Sequence, residues 1–114
     1  MSHIGEYTLL ELDLDKVNKD ILEQALIQAC KELNLVYDKT KNEIRVTSYR
    51  SWNVNLAKFQ IVGDIWQYET TYEQLKQRTQ AWYLALTTLA FTRAKGYTNA
   101  QVIKQKEKLY VIAQ

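Results

Sequence analysis

Apolar and polar positions alternate from Glu6 to Leu12, with Tyr7, Leu9 and Leu10 on one side and Thr8 and Glu11 on the other. That is the period of a half-buried strand. The run ends in Asp13-Leu14-Asp15, where the Asp15 carboxylate is expected to cap the free amides of a first helical turn. From Lys16 to Leu33 the apolar residues fall at Val17, Ile21, Leu22, Ala25, Leu26, Ala29 and Leu33. This is the stripe of an amphipathic helix, and Asn34 is its expected stop. The runs Leu35–Tyr37 and Ile44–Tyr49 flank a polar loop from Asp38 to Glu43 and predict an antiparallel hairpin. Leu56–Val62 and Ile65–Tyr68 flank Gly63-Asp64, which reads either as a tight turn between two strands or as a bulge within one.

Thr70 and Thr71 precede Glu73 and Gln74 by three residues each, so either pair supplies a capping box for a long helix from Tyr72 to about Lys95. Gly96 is placed to end it as C′. Leu75, Trp82, Leu86, Leu89 and Arg93 form one stripe, widened by Thr79, Ala85 and Ala90, while Tyr83, Leu84 and Phe91 lie off it. A helix apolar on more than one side needs more cover than a single sheet provides, and self-association is one way to supply it. Gln101–Lys104 and Leu109–Ala113 then predict a last hairpin.

The order βαββ–β(β)αββ has similar halves, and Lys39-Thr40-Lys41-Asn42 parallels Lys104-Gln105-Lys106-Glu107, so the chain reads as a candidate pseudo-repeat. The expected fold class is α+β: a single domain over residues 1–114, a two-layer sandwich with a mostly antiparallel sheet and two helices on one face.

Composition narrows the chemistry more than it identifies it. A chain of 114 residues, 46% apolar and 25% charged, can bury a core without disulfides or a structural metal. Its one cysteine, Cys30, allows neither an intramolecular disulfide nor a cysteine-rich metal site. No apolar run approaches the roughly 18 to 20 residues of a membrane helix, so no membrane association is expected. The start, Met1-Ser2-His3-Ile4-Gly5-Glu6, lacks the basic and apolar runs of a secretory signal, and a reducing, cytoplasmic compartment is expected. The net charge of +2 is unevenly spread. Residues 1–38 carry eight acids and three bases, and residues 39–114 carry twelve bases and five acids. A basic portion of that size attracts anionic partners, although an acidic solvent face on one helix and lysines on the hairpins are the better explanation.

Enzymatic constellations are sparse. The only histidine, His3, stands three residues from the start, and Cys30 falls beside an apolar helical stripe with acids rather than bases nearby, as a buried structural thiol would. Asp13 with Asp15, and Asp64 with Glu69, are explained by capping and turns before metal binding. Gly5, Gly63 and Gly96 are too far apart to cradle a phosphate. No catalytic residue, metal or cofactor is therefore assigned. The most distinctive stretch interleaves bases and aromatics at Arg45, Tyr49, Arg50 and Trp52, with Arg78 and Arg93 further along. Such residues can stack on nucleobases while their cations meet phosphates, which makes single-stranded nucleic acid an alternative ligand. An aromatic-lined pocket for a nucleotide or other small ligand is a second alternative. Trp52, Trp66 and Trp82 serve equally as core, the ordinary use of tryptophan in a chain with two phenylalanines.

Several segments are similar to those of a known family. Phe59-Gln60-Ile61-Val62-Gly63-Asp64-Ile65-Trp66, Gln77-Arg78-Thr79-Gln80-Ala81 and Gly96-Tyr97 resemble, respectively, a β-run ending in an acid and a tryptophan, a Gln-Arg/Lys-Tyr-Ala helical segment, and a Gly-aromatic stop. Together with the opening Met1-Ser2-His3, they resemble the small cyanobacterial and plastid-encoded family known as hypothetical chloroplast reading frame thirty-five. Thr79 stands where that family has tyrosine, and Lys106-Glu107-Lys108 replaces its glycine-bearing turn. The family has no assigned activity or catalytic residues. Because some members are encoded beside an AAA-type ATPase, the resemblance implies a partner role, and the plastid stroma as another location. The expected function is a non-catalytic protein-interaction or adaptor domain that self-associates or binds a protein partner.

Overall fold

Why the second helix outgrows the sheet that should cover it is visible from element lengths. The computed structural model describes residues 5–9, 13, 15–48 and 52–113. Their order is β1 (Gly5–Thr8), α1 (Lys19–Glu32), β2 (Tyr37–Lys39), β3 (Glu43–Val46), β4 (Trp52–Asn55), β5 (Gln60–Gly63), α2 (Glu69–Ala94), β6 (Gln101–Gln105) and β7 (Lys108–Ile112). At 1.5 Å per residue, the 14 residues of α1 span about 21 Å and the 26 of α2 about 39 Å. α2 is therefore about 18 Å longer than its helical neighbour, and the molecule is elongated, 52 × 31 × 23 Å.

Strands β1 to β5 form one antiparallel sheet in the order β1-β5-β4-β3-β2. α1 carries the chain from one edge strand to the other, and β2 to β5 meander back to pair with β1. Registers Tyr7↔Ile61, Val54↔Ile61, Ile44↔Val54 and Val46↔Trp52 put the apolar residues on one face, as the period of two requires. The opposite face carries Glu6, Thr8, Arg45 and Asn55, all exposed. The buried face packs on Leu22, Ala25, Leu26, Ala29 and Cys30 of α1 and on Leu75 and Tyr83 of α2. The α+β layering with both helices on one face is thus the observed architecture. The last hairpin forms its own two-stranded sheet, order β6-β7, and packs on α2.

Several local expectations are corrected. The cap of α1 is Asn18, whose Oδ1 accepts from the amides of Asp20 (3.0 Å) and Ile21 (3.1 Å). Asp15 is not the cap because the acidic stretch closes a turn of its own: Asp13 Oδ1 accepts from Asp15 N, and its carbonyl from Lys16 N. No capping box opens α2. Thr70 and Thr71 are already helical, and the chain is delivered instead by a turn in which Asp64 Oδ1 accepts from Trp66 N at 2.9 Å. The residues around Gly63-Asp64 are neither a hairpin nor a bulge. The hairpin turn is at 56–59, held by Asn55 Oδ1 accepting from Ala57 N and Lys58 N, and Gly63 merely ends β5. Asn34 (φ 56°) and Gly96 (φ 110°) do terminate their helices in left-handed conformation. Strand β1 ends at Thr8, and its expected continuation through Leu10 to Leu12 lies outside the described residues.

Candidate interaction surface

The C-terminal half of α2 and the β6–β7 hairpin together form an arm. β7 alternates, with Leu109 and Val111 half-buried and Lys108, Tyr110 and Ile112 exposed, while β6 half-buries both Val102 and Ile103. A two-stranded hairpin is marginal alone, and here it is fixed by packing on α2 and by a polar clamp. Glu32, the last residue of α1, accepts Arg78 Nε at 2.9 Å and Nη2 at 3.0 Å in a bidentate pair. Trp82 Nε1 and Lys104 Nζ also reach its two oxygens. Arg78 Nη1 donates to the Glu107 carbonyl at 2.6 Å, tying the hairpin turn to the same centre.

Burial alone would raise the pKa of Glu32. Hydrogen bonds from Arg78, Lys104 and Trp82 and the Arg78 charge outweigh it and hold the carboxyl at about 2. A cavity of about 360 Å³ adjoins this clamp, lined by Gln74, Gln77, Arg78 and Lys104 among others. Its cations are already engaged by Glu32, so it makes a poor anion site. Cys30 lies in the core, where burial pushes its thiol up to about 12, the opposite of an activated nucleophile. Among the described residues no three metal-ligating side chains cluster, and no helix is long and apolar enough to cross a membrane.

Of the sequence-assigned binding residues, the described ones, Arg45, Trp52, Arg78 and Arg93, do not converge. Trp52, expected as a stacking ring, is fully buried in the sheet core, its Nε1 donating to the Asp64 carbonyl at 2.8 Å. Its alternation with Val54 places it on the inner face, so it offers no surface to a base. Arg45 lies on the polar face of the sheet, bonded to Asn53 Oδ1 at 3.2 Å. Arg78 belongs to the clamp on the other side of the sheet. Arg93 closes the loop after α2 by donating Nε and Nη2 to the Ala100 carbonyl at 3.1 and 2.9 Å. Tyr49 and Arg50 lie outside the described residues, as does His3.

Among the described residues, large apolar side chains are exposed at Val36, Trp66 and Tyr97 and, together on the arm, at four more. On α2, Leu84 and Phe91 stand seven residues apart on one face and are 64% and 61% exposed. On β7, Tyr110 and Ile112 are 45% and 38% exposed. A groove of about 520 Å³ runs between Leu84 and β7, floored by Ala81, Ala85, Thr88, Leu109 and Val111. Leu84 and Phe91 were legible as apolar positions off the main stripe; Glu32, Lys104 and Tyr110 carry no local signal of their roles. No family model, curated protein or solved structure matches the chain.

Proposed function

We propose that this chain is a non-catalytic protein-interaction domain whose recognition surface is the arm. The observation that carries the reading is the exposure of Leu84 and Phe91 on α2 and of Tyr110 and Ile112 on β7, with Leu84 and Tyr110 lining a common groove. Exposed apolar side chains are ordinary when scattered, but Leu84 and Tyr110 line one groove, and apolar surface beside a groove marks an interaction site. The polar face of the five-stranded sheet and the occupied clamp supply nothing comparable. The nucleic-acid alternative loses Trp52 to the core, and Arg45 and Arg78 lie on opposite sides of the sheet. The AAA-type ATPase implied by the family resemblance is one partner to be tried.

The test is site-specific photo-crosslinking in cells that express the protein. A benzoylphenylalanine at position 91 is expected to give discrete protein adducts, and one at position 45, on the polar sheet face, is expected to give none. Equal yields at the two positions, or no adduct at 91, would refute the reading.

A further inference from the structure

We infer that the groove beside β7 binds an extended acidic segment of a partner protein, which adds to the hairpin as a third strand. The inference rests on the arm being an interaction surface and names what it takes. Two features select the occupant. First, β7 pairs on one side only, and the clamp anchors the hairpin from the β6 side, through Lys104 to Glu32. The open edge of β7 therefore faces the Leu84 flank of α2, where the groove runs. An unpaired strand edge presents a ladder of N–H and C=O groups that only another backbone satisfies in register.

Second, the arm is strongly basic. Residues 76–113 carry seven Lys and Arg against Glu107, and with Arg78 and Lys104 engaged by Glu32 the arm and clamp together balance at +5. Two arms brought edge to edge would place like charges within a Debye length of about 8 to 10 Å, which disfavours a second copy of β7 and favours an acidic strand. The period of two then writes its pattern. Alternate side chains lie inward beside Leu109 and Val111 on Ala81, Leu84 and Thr88, and must be apolar. The intervening ones lie outward beside Lys108, Tyr110 and Ile112, and the acidic position is the one beside Lys108. Nucleic acid would use the charge but leave the strand edge and the apolar floor unused.

Selection from a displayed library of random linear peptides tests the inference on the full chain. Enriched peptides are expected to place Val, Ile, Leu or Phe at alternate positions and an Asp or Glu between them, opposite Lys108. Binding of an enriched peptide should weaken at least tenfold when its acids become lysine, and likewise when alternate backbone amides are N-methylated. It should slow amide exchange across Lys108–Ile112 and weaken at least tenfold with Leu84→Glu, a substitution at an exposed site that leaves thermal unfolding unchanged. Enrichment of basic sequences, no enrichment, indifference to N-methylation, or displacement of the peptide by oligothymidylate would each overturn it. Sedimentation velocity separates this failure from that of the parent reading. Self-association abolished by Leu84→Glu, with no peptide bound, leaves the arm an interaction surface whose occupant is a second copy. Absence of both effects removes both proposals.

Discussion

Replacing Glu32 by Gln keeps the shape of the side chain and removes the charge on which Arg78, Trp82 and Lys104 converge. The magnitude follows from the local geometry. A carboxyl held at about 2 rather than its ordinary 4.5 is worth up to ~3 kcal/mol at neutral pH. The Glu32 side chain is 11% exposed and that of Arg78 19%, but Lys104 is 46% exposed, so solvent screens part of this. We expect Glu32→Gln to cost about 2 kcal/mol at pH 7, a fall in Tm of roughly 8 to 10 °C for a domain of this size. The sign with pH is fixed. The folded-state pKa is depressed, so the contribution is complete above 4.5 and is lost as pH falls from there towards 2. Urea denaturation of both proteins between pH 7 and pH 3 measures it, because every other carboxyl cancels in the difference. The gap should shrink by more than half at pH 3. A cost below about 0.5 kcal/mol at pH 7, or a gap constant across that range, would show that the clamp is no more than a surface ion pair.

Two further outcomes are expected. Thr79 is fully buried and its hydroxyl has no partner, so Thr79→Val, nearly the same in volume, should raise stability by about 1 kcal/mol in the same denaturation experiment. Destabilisation would mean that the hydroxyl is satisfied. Cys30, with its thiol at about 12, should resist a thiol reagent at pH 8 in the native protein and react only at the rate of unfolding, whereas rapid native labelling would contradict its place in the core.

How much could be read from the sequence depends on whether a signal was local. The stripes of α1 and α2, the Asn34 and Gly96 stops and the lysine-rich turns are written in spacing or in single residues with special φ, and they were legible. The two starts were misplaced because several residues qualified. Asp15 and Asn18 can both cap, and the choice was made by Asp13, whose own turn consumed the acidic pair. Thr70 and Thr71 look like capping residues only if the Asp64–Trp66 turn is not known to begin the helix earlier. Trp52 beside Arg50 looks like a stacking surface in one dimension, and only the register Val46↔Trp52 shows that it points inward. Glu32 is the extreme case. Its partners lie 46, 50 and 72 positions away, and nothing near it in the chain distinguishes it from any exposed helical glutamate.

The same long-range clamp also bears on how the arm would work. A strand edge recognises a partner cheaply only if it is held in place beforehand, because ordering a loose hairpin at the moment of binding subtracts from affinity. Here the restraint falls on β6 and on the turn, through Lys104 and the Glu107 carbonyl, and leaves β7 unobstructed. Glu32 sits away from the groove and lines none of it, yet it fixes which edge of the hairpin is offered. Glu32→Gln should therefore speed amide exchange throughout β6 and β7 and weaken the binding of an acidic strand without altering any side chain that touches it. Leu84→Glu should do the reverse, weakening binding with exchange in the free arm unchanged. If the two substitutions weakened binding with identical exchange profiles, preorganisation and contact would not be separable in this arm, and the division of labour between clamp and groove would fail.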